Sequence, residues 1–192
     1  GYVNSVAEVE ALADELRRGG GLTLRSNFDP LQRIWTDRLP VPENKVEIHP
    51  LEYAGETAES KLRRIREALS RAGAGGMLVS ALDDIAWTLN LRGSDVHCTP
   101  VFVAWLIVGS DSATLFTKES KLTPDVKAYL DANNVAVADY DAIADGLRQY
   151  DGYSLLVDPA TTNCTLSTLR MKCQRLRAAS PVPAMKAVKN AV

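Results

Sequence analysis

The sequence predicts an α/β protein built on a mixed β-sheet flanked by helices. Three observations predict it. Short apolar segments follow one another between residues 76 and 117, in the manner of an antiparallel meander. Strand and helix patterns then alternate to the end of the chain. Helix-spaced apolar stripes carry stop and start residues at their ends.

The elements follow in order. Val6, Val9, Leu12, Ala13 and Leu16 recur at helical spacing and predict a helix over about 5–18, stopped by "GGG" at 19–21. "LTLRS" at 22–26 reads as a short strand. Four prolines over residues 30–50 then impose an extended connection, which Trp35 is expected to anchor onto a domain. This divides the chain into residues 1–28, the last part of a preceding domain, a Pro-rich connection over 29–50, a main domain over 51–180, and a linking segment from 181 to 192. Thr57 caps a helix whose buried stripe is Leu62, Ile65, Leu69 and Ala72, with Glu59 in the first turn, Arg71 in the last and Gly73 just past the end. "GMLVS" at 76–80, "IAWTLN" at 85–90 and "VFVAWLIV" at 101–108 read as strands, with Trp87 and Trp105 packed in the core. "GSDS" turns the third of these into "ATLFT" at 113–117. Thr123 and Pro124 open a helix that Asn133 and Asn134 end. "VAVADY" is a strand, Asp141 caps a short helix to Gln149, and "YSLLVD" is a strand. A last helix over 164–177 would place Leu166, Leu169, Cys173 and Leu176 on one face.

Composition excludes several functions. The 192 residues suffice to bury about 70% of the unfolded surface in one sizeable core. A net charge of −2 supplies no electrostatic footprint for nucleic acid or an anionic membrane. No apolar run approaches the ~20 residues of a membrane span. Cys98, Cys164 and Cys173 form an odd, sparse set without CxxC, read as buried, reduced thiols of a cytoplasmic protein.

Catalytic patterns are equally scarce. His49 and His97 are the only histidines, and no HExxH or GxSxG occurs. His97 and Cys98 are adjacent, so in extended chain their side chains diverge. The glycine clusters lack the Lys-Ser/Thr of a phosphate-binding loop. Asp83 and Asp84, with Asp95 downstream, read as solvated turn residues, although a two-metal nuclease would draw on such a set. What remains is "RGSD" at 92–95, a loop of both charges between two Trp-bearing runs.

The block "ALDDIAWTLNLRGSDVHCTPVFVAWLIV" at 81–108 closely resembles the middle domain of cytosolic, three-domain Xaa-Pro aminopeptidases. "LQRIWTDRLP" at 31–40, "YAGETAESKLRRIREAL" at 53–69 and "MKAVKN" at 185–190 agree in order and spacing. Thr99 stands where the family commonly carries Asn, and Leu39 separates Arg38 from Pro40. The resemblance implies a creatinase/prolidase N-terminal-domain-like fold and no catalytic or metal-ligating residue within this chain. It implies a downstream catalytic domain in which two divalent metals, typically manganese, cleave the bond before a penultimate proline of a short peptide. It further implies a cytoplasmic enzyme, often a homodimer, without nucleic-acid or membrane partners. Arg92 and Asp95 become candidates for the substrate groove or the domain interface. Arg92 would hold a carboxylate or peptide carbonyl, and Asp95 would orient that Arg or receive the substrate ammonium. The alternatives are that the two residues merely hold the loop, and that the chain is a stand-alone interaction module of the same fold.

Overall fold

Local signals set most of the element boundaries in the computed structural model, which describes residues 4–25, 31 and 34–189. In chain order the elements are α1 (Val6–Gly20), β1 (Glu47–Ile48), α2 (Leu51–Ala54), α3 (Ala58–Arg71), β2 (Gly76–Val79) and α4 (Leu82–Leu89). There follow β3 (Leu91–Arg92), β4 (Trp105–Gly109), β5 (Ala113–Phe116), α5 (Pro124–Ala132), β6 (Val135–Ala138) and α6 (Ile143–Gln149). The last four are β7 (Ser154–Val157), α7 (Cys164–Ser167), β8 (Gln174–Arg177) and α8 (Val182–Ala187). Ser5 and Glu8 close a capping box on α1, their reciprocal bonds measuring 2.9 and 3.2 Å. Thr57 and Thr123 accept the backbone N–H groups of Ser60 and Val126, as their positions in the sequence predict.

Six strands form one mixed sheet in the order β6-β5-β4-β2-β7-β8. The β2/β4 and β4/β5 pairs are antiparallel, and the three outer pairings are parallel. Side chains alternate across it with period two. Met77, Val79, Leu106, Val108 and Leu115 join the core under α3, α4 and α5. Leu78, Trp105, Ile107, Phe116 and Val157 join a second core with α6 and α7. A separate two-stranded ribbon pairs β1 with β3, placing Glu47 opposite Arg92. The mixed sheet flanked by helices is therefore the fold that the sequence predicts.

Several expectations are corrected. Residues 85–89 are helical, not a strand: Leu82, Ile85, Ala86 and Leu89 share a face, and Asn90, at φ 51°, caps the end of α4. The expected helix over 164–177 is the short α7 followed by the edge strand β8. Leu169 and Cys173 pack in one core while Leu176 packs in the other, so these residues lie on opposite sides of the sheet. Strand β4 begins at Trp105, because Val101–Ala104 serve the preceding loop. Residues 22–25 form no strand, and Ser26 lies outside the described residues. Asp139 rather than Asp141 caps the 3-10 turn before α6, accepting the Asp141 N–H at 2.9 Å. Ala72 is exposed, and Ala58 and Lys61 complete the buried stripe of α3 instead. Cys98 is exposed and occupies a turn at φ 59°, where a buried thiol was expected. Trp35 is half exposed beneath the Arg38 guanidinium, 5.0 Å from its ring, and is no core anchor. The α1 stripe is shallow: Val6 is buried, whereas Leu12 is 46% exposed.

Candidate functional site

The charged loop after β3 is built around a buried ion pair. Gly93 lets it lie close against Phe102, since a Cβ there would stand 2.7 Å from the Phe102 Cβ. The Asp95 carboxylate accepts the Val103 N–H at 2.7 Å and receives the Lys121 ammonium at 2.5 Å. Both side chains are fully buried. Lys121 also donates to the Val103 carbonyl, and Thr117 donates to the same oxygen at 3.0 Å. Asp95 thus ties the loop to the 3-10 turn at Glu119–Lys121.

Arg92 faces elsewhere. The β1/β3 ribbon places it beside His49, whose N–H donates to the Asn90 carbonyl at 2.7 Å. Its Nη1 donates to the carbonyls of Ala86 and Leu91, at 3.1 and 2.9 Å. Among the described residues, its Nη2 and Nε make no bond. The structure therefore does not pair Arg92 with Asp95.

Arg92 lines a cavity of about 180 Å³ together with His49, Tyr53, Lys61, Trp87 and Lys186. Val188 and Lys189 complete one wall. Among the described residues, no carboxylate lines it. Lys61 lies beneath Trp87, its ammonium 4.4 Å from the ring centroid, and donates to the Trp87 carbonyl at 3.0 Å and to Asn90 Oδ1 at 2.6 Å. Burial, reinforced by Arg92 and Arg64, overcomes the help of Glu56 and lowers the Lys61 pKa to about 8. Burial, then the charges of Arg92 and Lys61, also push His49 below its ordinary value, so it is neutral at pH 7.

Lys186 is bridged at 2.5 Å to both Asp83 and Asp84, which lie in the first turn of α4. Both lie in a helix rather than a turn, and only Asp83 is solvated as expected: Asp84 is 2% exposed. Burial raises the Asp84 pKa, whereas at more exposed Asp83 burial is outweighed by the Lys186 hydrogen bond, the Lys186 charge and two backbone N–H bonds acting together, which lower it. The same bonds, opposed by burial, raise that of Lys186.

Sequence reasoning singled out Arg92 and Asp95, of which only Arg92 lines the cavity, and did not bring Lys61, Trp87 and His49 together with it. Lys61 carried a readable signal, for a charged residue three after Ala58 and four before Ile65 occupies the buried stripe of its helix. No group of three or more His, Cys, Asp and Glu side chains able to hold a metal occurs among the described residues. Asp83, Asp84 and Asp95 are engaged by two different lysines. This donor set does not fit a two-metal centre, and no step is derived through one.

A six-stranded mixed sheet covered by helices, with a cationic cavity lined by residues of α2, α3, α4, β3 and α8, defines an α/β domain. Residues 37–192 match the Creatinase/Prolidase N-terminal domain, and the chain belongs to that family. Curated relatives include an aminopeptidase P and several probable Xaa-Pro aminopeptidases. Aminopeptidase P2 of Arabidopsis thaliana is 41% identical over 153 residues, covering 78% of this chain and 22% of the relative. The probable Xaa-Pro aminopeptidase P of Coccidioides posadasii (strain C735) is 36% identical over 201 residues, covering 98% of this chain and 30% of the relative. The chain thus spans under a third of the length of these relatives. The crystal structure of an X-prolyl aminopeptidase from Caenorhabditis elegans, described as a cytosolic enzyme with a di-nuclear active site, shares the fold. The TM-score is 0.86 at 22% identity, over 98% of this chain and 32% of that one.

Proposed function

We propose that this chain is a non-catalytic region of a metal-dependent Xaa-Pro aminopeptidase, where it walls the entrance to the substrate groove. The complete enzyme removes the N-terminal residue preceding a penultimate proline, using two divalent metals, manganese by family analogy, held by a catalytic domain of the same polypeptide. In this reading residues 1–28 close a preceding domain, 29–50 connect, 51–180 form the accessory domain and 181–192 lead onward. In this reading the complete enzyme is cytoplasmic and, as members of the family often are, a homodimer.

The observation that carries the reading is the placement of Arg92. Its guanidinium is anchored through Nη1 alone, leaving the Nη2 and Nε edge for a planar acceptor such as a peptide carbonyl or carboxylate. The cavity wall opposite contains Lys186 and Val188, in the segment assigned to the link. Asp95 acts behind this surface, holding the loop through Lys121, and does not reach the peptide.

The test is kinetic. In the complete enzyme, Arg92→Ala raises KM for short Xaa-Pro peptides by about tenfold, the worth of one charge-assisted hydrogen bond, with a smaller change in kcat. Unchanged kinetics with both short and long peptides would overturn the role of Arg92.

A further inference from the structure

Lys61 is a buried cation without a buried anion. The residue is 2% exposed, yet its hydrogen-bond acceptors are a backbone carbonyl and an amide oxygen, and its third neighbour is an indole ring. Among the described residues no carboxylate lies within ion-pair distance of its ammonium. Glu56, whose charge reaches it, is already held by Arg64 at 2.6 Å and by Ser60 at 2.8 Å. Burying an ammonium costs several kcal/mol unless an opposite charge accompanies it.

A second unmatched cation stands beside it. Arg92 meets only carbonyl oxygens, and its charge depresses the pKa values of both Lys61 and His49. Neutral His49 adds a hydrogen-bonding group without adding charge. Lys186 is accounted for by Asp83 and Asp84. Among the described residues the cavity therefore lacks negative charge next to Lys61 and Arg92, and it has room for a small group.

The geometry points to a carboxylate-binding site in which the Arg92 edge and the Lys61 ammonium share one anion, flanked by the Trp87 and Tyr53 rings. A carboxylate suits the site because Arg offers it two parallel donors and a third comes from the ammonium. The rings form an apolar wall for the carbon skeleton that bears it. Two sources present this chemistry: the terminal carboxylate of a short peptide, which rests on the reading above, or an Asp or Glu side chain from a polypeptide surface packed over the cavity.

The 192-residue chain is titrated at pH 7 with acetate, with Ala-Pro-Ala as the free acid, and with its C-terminal amide. The Trp87 indole N–H and Arg92 Nε–H resonances are followed by NMR. Acetate and the free acid are expected to give saturable shifts, the amide none. Arg92→Gln weakens binding at least tenfold, and so does Lys61→Met. If the lysine variant fails to fold, the arginine variant decides alone, because glutamine keeps a donor for the two backbone carbonyls that Arg92 holds. Tighter binding of the free acid than of acetate assigns the site to a peptide terminus, and equal binding assigns it to a side-chain carboxylate. The absence of saturable shifts, equal binding of acid and amide, or full affinity in Arg92→Gln overturns the carboxylate site. Such a failure leaves the peptidase reading standing, since that is judged on the kinetics of the complete enzyme.

Discussion

Replacing Lys121 with methionine tests whether the charged loop is held by its buried pair. Methionine conserves most of the volume but leaves the Asp95 carboxylate enclosed with only the Val103 N–H as partner, its Oδ1 being buried and unbonded already. Removing one member of a buried pair costs about 3–5 kcal/mol. With a urea m-value of about 2 kcal/mol/M, the unfolding midpoint falls by roughly 2 M. That loss is within the usual 5–15 kcal/mol of a domain, so the variant is still folded in water. Circular dichroism in urea measures it. Adding Asp95→Asn removes the stranded charge while retaining an acceptor for Val103, so the double variant regains about 2 kcal/mol against the sum of the singles. A midpoint shift below about 0.5 M, or simple additivity, would refute the reasoning that this pair carries the loop.

Three further outcomes are expected. Gly146→Ala places a Cβ 2.4 Å from the Phe116 ring tip in the second core, and loses about 1–3 kcal/mol by the same urea assay. Thr57→Ala removes the cap of α3 and costs about 1 kcal/mol, with restoration by Thr57→Ser. Lys61 makes stability depend on pH: its folded pKa of about 8 lies below the ordinary 10.5, so between these values the unfolded chain binds more protons. Stability relative to Lys61→Met therefore rises as pH increases through that window, which urea midpoints at pH 7 and 10 measure. A flat difference contradicts the buried-ammonium account.

Features encoded in a few adjacent residues were legible in the sequence. The Thr57 and Thr123 caps, the Ala113–Phe116 hairpin strand and the β6/α6/β7 alternation needed no long-range information. Helix α4 was obscured because Ile85, Trp87 and Leu89 alternate as in a strand while Ile85, Ala86 and Leu89 also fit a helix. Tertiary packing against β4 and α8 decides between the two periods. Strand β8 has the Gln-Arg-Leu-Arg pattern of a charged edge and takes its register from its parallel partner β7.

The candidate site was less legible. Arg92 and Asp95 stood out as charges between apolar runs, but their partners lie far along the chain: Lys121 is 26 residues from Asp95. Lys186 lies 102 residues from Asp84. No local pattern encodes such pairings. Only the charge on the buried stripe of α3 marked Lys61 in advance.

In the proposed reading hydrolysis belongs to a catalytic domain outside these 192 residues, and one experiment examines that directly. The purified 192-residue chain is mixed with Mn²⁺ and an Ala-Pro-Ala peptide, with metal binding followed by calorimetry and released alanine by chromatography. The account predicts neither stoichiometric binding nor alanine release. A one-to-one or two-to-one manganese complex that frees alanine would contradict it.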